Sequence, residues 1–474
     1  MIFKRHIFLI VFLLLFGTLL FYKLSIFPKP LFDWDESLYV QNGLEMLEHR
    51  SFLVPFWQGQ PWLDKPPLSP LLLGIVAKLL PLPVEISTRL YTLALSIIAL
   101  VLIYKLYLKA GQSRLTAVLT VIITAFTPIF LQRSQVVSLD VTLLIGWLGF
   151  FLWLEKPILS VLFLFLSVQS KSLLGFYPLA IYGLYLVYLW LIKEIKTDKL
   201  WQKIRIIIWQ ASFLSLWYLI ALLVYQEHFV QAHLIESHFR RVSASLESHF
   251  GQRTYYLDLM ADQLGWLGVL ALIGFGSSLI AFWQKKISHR VFLLQNAFLP
   301  WFLFLNLTKT KIAWYLYPVI PQFAFYAGYS LTILKPKLIR LGVFVILGGY
   351  LIYQGIIQNN LLGTFYSQED AHIKIAKTAR QKCDNLAVLV PDYTRETYWT
   401  LKKMNLIIES TSWWGEHPSM VYYFGKPLRF YYSVNDFKKV QDQADCFVIN
   451  SPDQKLVKKN RQLIVTFDKM LLYR

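Results

Sequence analysis

Long apolar runs separated by short clusters of lysine and arginine dominate this chain. They lie at about 7–21, 88–108, 115–132, 139–154, 157–170, 173–192, 206–225, 264–283, 291–307, 312–333 and 339–357, most of them near the roughly 20 residues a helix needs to cross a bilayer. The pattern predicts eleven membrane-spanning helices, the short run at 157–170 being also compatible with a re-entrant segment. The first run follows Lys4 and Arg5 as in a signal peptide. The bulky Tyr22-Lys23-Leu24-Ser25-Ile26-Phe27 after it offers no small-residue cleavage site, so it reads as an uncleaved helix with a cytoplasmic N-terminus. From that start the basic clusters Lys105/Lys109/Arg114, Lys156, Lys193/Lys196/Lys199/Lys203/Arg205, Lys285/Lys286/Arg290 and Lys335/Lys337/Arg340 all fall inside. Such one-sidedness is what the positive-inside rule requires. The outer side receives about 24–87, about 226–263 and everything after about 358, and function is to be sought there.

Beyond Gln358 charges appear throughout, and apolar runs shorten to Leu386–Val390, Leu406–Ile408 and Cys446–Ile449, with helix-like stretches near 394–404 and 435–443. A small α/β domain over 358–474 is therefore expected after a membrane domain over 1–357. The two cysteines, Cys383 and Cys446, both fall in this tail. An outer location permits a disulfide, and two buried thiols fit equally well.

Composition excludes a soluble enzyme: 56% of residues are hydrophobic and 16% charged, against roughly 25% charged in a soluble domain. The net charge of +19 comes from 47 Lys and Arg against 28 Asp and Glu. Because the cations sit between apolar runs, this charge records membrane orientation and not a nucleic-acid partner. The chain shows no repeat of 20–50 residues, no low-complexity tract and no CxxC or HExxH metal cluster.

The first outer loop opens with Asp33-Trp34-Asp35-Glu36-Ser37, three carboxylates within four residues beside a span. Carboxylates so close to lipid are costly and usually functional, although acids also suit the first turn of a helix over 37–48. The loop continues through Gly59-Gln60-Pro61-Trp62-Leu63-Asp64-Lys65-Pro66-Pro67, a rigid turn presenting one lysine. Arg133 and Asp140 stand at the mouths of neighbouring spans, with Lys171 at the same level. The loop at 226–263 carries Glu236, His238, Arg240, Arg241, Glu247, His249 and Arg253 with Tyr255 and Tyr256, and a later turn reads Thr308-Lys309-Thr310-Lys311 with Trp314 and Tyr315. Cations and a few carboxylates thus converge on the outer surface, while span centres hold almost no ionisable group. An ion-coupled transporter needs charged or broken helices near the midplane. An enzyme acting on a lipid-borne phosphate needs cations at headgroup level and a nearby carboxylate base.

The ordered set Asp35-Glu36, Tyr39, Gly59–Trp62, Lys65-Pro66-Pro67-Leu68, Leu139-Asp140, Lys171, Glu236 with Arg240, His249 before Tyr255-Tyr256, and Thr308–Lys311 with Trp314-Tyr315 and Pro318 resembles the GT-C membrane glycosyltransferases. The similarity is to the protein O-mannosyltransferase and lipid A aminoarabinose transferase group in particular. It covers roughly residues 30–430, since Tyr422–Pro427 also looks like that group's outer domain. Ser172 stands where the group usually has glycine, Ala313 replaces a usual proline, and Arg241 occupies a position where an aromatic is common.

The resemblance implies a polytopic α-helical GT-C protein of the plasma membrane with an extracytoplasmic α/β domain. It implies transfer of a sugar from a polyprenyl monophosphate, with inversion, to a hydroxyl or phosphate on a glycan, lipid or protein acceptor. Asp35 would be the general base, with Glu36 or Asp140 positioning it; a carboxylate half-shielded by membrane is raised toward useful basicity. Lys65, Lys171, Arg240 and Tyr315 would meet the growing phosphate charge, with His249 a further candidate and Trp62 a candidate sugar platform. Fixed cations do the work of a metal there, so no cofactor is required and a divalent cation is left open. A flippase of lipid-linked sugars is the alternative, but it lacks its expected mid-span polar residues. An O-antigen ligase would place its main outer loop later, and a receptor leaves Asp35, Lys65, Asp140 and Arg240 unexplained.

Overall fold

The computed structural model describes residues 2–26, 29–333, 337–358, 369–408, 413 and 415–474. Phe27 of the expected leader reading, Lys335 of the last basic cluster, and residues 359–368 beside the expected domain boundary lie outside the described residues.

The chain opens with α1 (Ile2–Ile26). The first outer segment then forms α2 (Asp35–Glu48), a hairpin of β1 (Phe56–Trp57) and β2 (Gln60–Pro61), and α3 (Leu68–Leu79), which starts directly after Pro66-Pro67. The hairpin turns on Gln58 (φ 49°) and Gly59 (φ 76°), the doubly left-handed geometry of a tight two-residue hairpin. Its turn is anchored by Glu45, whose carboxylate accepts the Gln58 and Gly59 amides at 3.0 and 2.9 Å. Next come α4 (Val84–Lys109), α5 (Arg114–Phe126), α6 (Pro128–Arg133), α7 (Asp140–Leu152), α8 (Pro157–Lys171), α9 (Tyr177–Leu191) and α10 (Thr197–Phe229). Every residue of α7 is buried, as expected of a helix apolar on all faces.

The second outer segment holds a π-helical stretch (Val230–Phe239) running into α11 (Arg240–Ser243). The membrane part continues as α12 (Tyr255–Leu264), α13 (Leu267–Trp283), α14 (His289–Asn296), α15 (Leu299–Leu307), α16 (Ile320–Ile333) and α17 (Lys337–Ile352).

Several expected spans are broken. The run at 115–132 splits before Pro128, where the ring removes a helical hydrogen bond. The runs at 157–170 and 173–192, read as two spans, form one helical stretch, Pro157–Leu191, interrupted where Ser172 adopts φ 56°. Among the described residues four helices are long and apolar enough to cross a membrane: His6–Ile26, Val84–Lys109, Pro157–Leu191 and Thr197–Ser243. Two bent pairs, α12 with α13 (108°) and α14 with α15 (47°), bring this to six if each is one span. The protein is thus a multi-pass helical membrane protein whose apolar runs alternate between continuous and broken helices.

The tail folds as α18 (Ala371–Lys382), β3 (Leu386–Leu389), α19 (Asp392–Lys403), α20 (Pro418–Phe424), β4 (Leu428–Tyr431), α21 (Val434–Val440), β5 (Cys446–Asn450), β6 (Leu463–Phe467) and β7 (Met470–Tyr473). The sheet order is β4-β3-β5-β7-β6, parallel on either side of β3 and antiparallel around β7. One face packs Leu386 and Val388 against Ile375, Ala379 and Phe424. The other buries Leu389 and Phe447 with Phe437. Cys383 and Cys446 are joined as a disulfide, tying the end of α18 to β5. The run Leu406–Ile408 is not a strand: Asn405 (φ 54°) ends α19, and Ile407 and Ile408 plug the domain as buried coil.

Close backbone approach sets the angle between α2 and α3. A Cβ added at Gly43 would lie 2.0 Å from the Pro70 carbonyl oxygen, and one at Gly74 would lie 2.3 Å from that of Gly43. Backbone on both sides leaves nothing to yield, so Gly74→Ala is expected to cost about 1–3 kcal/mol. Gly183→Ala, where a Cβ meets nothing within 4 Å, is the control. Thermal melts in detergent check this, and equal midpoints for the two variants refute it.

Candidate active site

The first turn of α2 aims Asp35 into a cavity of about 320 Å³ enclosed by the 62–65 loop, the end of α8, the 241–249 segment and the 312–315 turn. Trp34 precedes it at φ 67°, ψ −103°, a conformation that costs strain and persists only where the surroundings hold it. The cavity is lined by Asp35, Lys65, Lys171, His249 and Tyr315 among the residues singled out from sequence. Glu36, Asp140 and Arg240 do not line it.

A chain of alternating charges runs behind Asp35. Arg133 donates to Asp35 Oδ2 at 2.8 Å and to Asp140 Oδ2 at 3.3 Å. Lys171 Nζ donates to Asp140 Oδ1 at 2.5 Å. The Arg133 guanidinium lies 4.6 Å from the Trp314 ring centre, and Lys171 Nζ lies 5.5 Å from that of Tyr315. Asp140 therefore stands in a second row, orienting one cation toward Asp35 and one toward the cavity.

Glu36 faces away from the cavity. Arg89 Nε and Nη2 donate to it at 2.9 and 2.5 Å, and the amides of Phe32 and Val137 at 2.9 and 2.7 Å. The same arginine donates to the Lys29 and Pro30 carbonyls, both at 2.8 Å. The pair pins the 29–36 segment to α4 and has no capacity left for a reacting group, so Glu36 acts on Asp35 through the backbone they share and not by touching it.

Arg240 departs from its expected role. It pairs with Glu236 at 3.7 Å and donates to the Ile407 carbonyl at 3.3 Å, to Asn405 Oδ1 at 3.1 Å and to the Asn405 carbonyl. It braces the outer domain. Its neighbour Arg241 enters the cavity instead and faces Glu247 at 4.0 Å. Both arginines follow the π-helical Val230–Phe239 stretch as neighbours in α11, about 100° apart around the helix, so one points to Glu236 and the outer domain while the other points into the cavity.

Asp64 and Glu247 also line the cavity; neither was assigned a role from sequence, although Glu247 stood among the loop's charges and Asp64 adjoins Lys65 in the chain. Burial would raise the Asp64 carboxyl, but the Lys65 ammonium, Arg241 and the Ser237 hydroxyl outweigh it and hold it well below the usual range. Burial pushes the Lys65 amine down, against the Asp64 charge that favours its protonated form. Glu247 is raised to about 7, because burial outweighs the attraction of Arg241. His249 is lowered by burial and holds its Nδ1 3.2 Å from the Leu246 carbonyl. Ser172 shows why glycine suits its position, since φ 56° favours a residue without Cβ. Its hydroxyl nevertheless bonds His233 Nε2 at 2.6 Å and Tyr218 at 2.8 Å, and His233 Nδ1 reaches the Leu63 carbonyl at 2.8 Å. That network seats the Lys65 loop.

Two larger spaces adjoin the cavity. An almost wholly apolar groove of about 510 Å³, walled by Phe176, Ile181, Trp301 and Phe304, shares Arg241 and Tyr315 with it. A hydrophilic cleft of about 810 Å³ lies between the hairpin and the outer domain, with Glu48, Gln60 and Arg429 in its walls. It shares Trp62, whose buried indole N–H has no hydrogen-bond partner among the described residues.

Residues 6–235 match the family model described as dolichyl-phosphate-mannose-protein mannosyltransferase. An uncharacterised protein of Aquifex aeolicus (strain VF5) is 26% identical over 329 residues, which are 66% of this chain and 62% of that one; the match thus spans under two thirds of the relative. The crystal structure of ArnT from Cupriavidus metallidurans bound to undecaprenyl phosphate superposes with a TM-score of 0.68 at 15% identity, covering 99% of this chain and 98% of that one. The Archaeoglobus fulgidus oligosaccharyltransferase in its apo form gives 0.62 at 12% identity over 95% and 70% of the two chains. The same enzyme has a structure in complex with Zn and sulfate, with a TM-score of 0.55 at 13% identity over 93% and 68%. The protein therefore has the fold of the GT-C membrane glycosyltransferases, in the likeness of the protein O-mannosyltransferase and aminoarabinose transferase group.

Proposed function

We propose that the chain is an inverting glycosyltransferase that takes its sugar from a polyprenyl monophosphate. One observation carries this reading: an apolar groove shares Arg241 and Tyr315 with a polar cavity that holds Asp35. An isoprenoid tail in the groove would deliver its phosphate to Arg241, Lys65 and Lys171, with the sugar beyond it. The undecaprenyl phosphate bound to ArnT is a ligand of this class. The acceptor would enter from the hydrophilic cleft past Trp62, on the side away from the phosphate.

Asp35 takes the proton from the acceptor hydroxyl as its oxygen bonds the anomeric carbon. The bond from that carbon to the phosphate oxygen breaks, and the lipid phosphate leaves among the fixed cations. Attack from the face opposite the phosphate inverts the carbon. Arg241 replaces Arg240 in the role read from the sequence. Asp35 and Asp64 in the cavity and Asp140 behind it each already face a cation, so fixed charges serve where a divalent ion would otherwise stand. The reading places the site on the outer face, with the N-terminus inside and residues 358–474 extracytoplasmic. The Cys383–Cys446 disulfide fits an oxidising outer compartment.

Transfer of labelled sugar from a panel of polyprenyl-phosphate sugars tests the reading in membranes carrying the wild type or variants. Asp35→Asn is expected to abolish transfer. Arg241→Leu is expected to lower kcat/KM about 100-fold or more, the scale of losing one preorganised charge donor. Arg240→Leu should change it far less. Label transferred equally by Asp35→Asn overturns the reading, and lipid-linked sugar that crosses the bilayer without transfer supports a flippase.

Glu247 generates a pH prediction. Its carboxyl is raised from 4.5 to about 7 in the folded chain. The protonated form is therefore the one the fold favours, and the stabilisation, full below about 4.5, is lost as pH rises to about 7. At 1.36 kcal/mol per pH unit the loss is roughly 3 kcal/mol. Glu247→Gln should flatten the fall in melting temperature between pH 5 and 7, and parallel curves for variant and wild type refute the assignment.

A further inference from the structure

Asp33, two residues before Asp35, faces the outer domain. Its Oδ2 lies 2.6 Å from His417 Nδ1 and 3.2 Å from His372 Nε2. His372 stands in the first turn of α18, and His417 stands just before α20. The two rings stack at 4.1 Å with 11° between their planes. The other carboxylate oxygen, Oδ1, accepts the Ser419 amide at 2.9 Å and its hydroxyl at 2.5 Å. Ser419 Oγ also lies 3.0 Å from His372 Nε2. The three candidate ligand atoms all lie within 4.8 Å of one another.

We propose that Asp33, His372 and His417 form a zinc-class divalent cation site that fastens the outer domain to the loop bearing Asp35. Two imidazoles and a carboxylate are the borderline donor set that selects zinc over magnesium or calcium. Tetrahedral bonds of about 2.0–2.1 Å place neighbouring ligand atoms roughly 3.3 Å apart. The Asp33–His372 separation of 3.2 Å already matches, and the Asp33–His417 separation of 2.6 Å has to open by less than 1 Å. Ser419 holds the non-ligating oxygen, the outer-sphere contact that orients a metal-binding carboxylate. Three protein ligands leave a fourth position for water. The residues are half-buried, so an ion can reach them from solvent.

The site adjoins the proposed chemistry and takes no step in it. Asp33 touches the reaction cavity, but both histidines belong to the outer domain. The ion would act by position, fixing the backbone two residues ahead of Asp35. Cys383, Asp445 and Cys446 also lie together, but the disulfide consumes both thiols and leaves no ligand set there.

The test uses the full chain in detergent, stripped with EDTA and titrated with Zn²⁺ or with Co²⁺ as a spectroscopic probe. The wild type should bind about one equivalent, give the visible bands of tetrahedral cobalt with nitrogen and oxygen ligands, and melt several degrees higher with zinc. His372→Ala and His417→Ala should each lose the bound ion and the zinc-dependent shift, read against each variant's own metal-free melting temperature. Undiminished stoichiometry in both variants overturns the proposal, as does a wild type that binds no ion at micromolar zinc. Should the variants fail to fold, zinc-edge X-ray absorption on the wild type decides: two imidazole shells support the site, and none overturns it. None of these readings depends on sugar transfer, so the outcome is separate from that of the proposed activity.

Discussion

Charge held at the edge of a membrane must be paired, and the chain Asp35–Arg133–Asp140–Lys171 is how this protein meets that demand. Removing one partner from such a set strands a buried charge, at a cost far above what the intact pair contributes. The arrangement therefore fixes more than electrostatics. It ties the start of α2 to the end of α6, the start of α7 and the end of α8, so that four elements converge on one cavity. The Glu36–Arg89 pair does the same for the entry to α2, with both groups almost fully buried. These two anchors let an exposed outer loop hold a carboxylate in place without a strand or sheet to support it.

The class of fold was legible in the sequence because hydrophobic periodicity and one-sided basic clusters are local signals. Asp35, Lys65, Lys171, His249 and Tyr315 were singled out by resemblance, since a helix cap or an ordinary turn explains each alone, and the structure shows that all five line one cavity. The partner of Glu36, Arg89, was not legible: it lies 53 positions away, and no spacing marks a buried pair of that reach. Arg240 was chosen over its neighbour Arg241 by resemblance, and it does pair with Glu236, but it is Arg241 that lines the cavity. One residue of phase in a helix is about 100° of direction. The span boundaries failed where the backbone departs from helix at Ser172, before Pro128 and between the halves of two bent pairs; hydropathy reports burial and not φ.

The breaks also give the site its form. A continuous helix carries its side chains past the membrane edge on a fixed spiral, and its backbone groups are all spent internally. Ser172, Gln226 (φ 49°) and the π-helical stretch each end that regularity, Ser172 directly after Lys171 of the cavity. There the Ser172 hydroxyl, His233 and the Leu63 carbonyl form a hydrogen-bonded path that seats the Lys65 loop. Strained backbone at such a place has to be held by its neighbours, and here the holding contacts come from the first outer segment.

The outer domain belongs to the same construction. Tyr423 accepts the Leu31 amide at 2.8 Å and donates to Glu85 at 2.7 Å, Arg240 grips the Asn405 and Ile407 carbonyls, and Asp33 meets His372, His417 and Ser419. These contacts flank Asp35 on the chain and in space, so the domain that walls the hydrophilic cleft also restrains the carboxylate the cleft leads to. Apolar packing adds to these contacts, with Tyr422 against the cluster of Leu31 and Leu38 and Trp57 against the domain's own core. A cation shared across this interface converts three weak contacts into one strong one, and thereby couples access through the cleft to the position of Asp35.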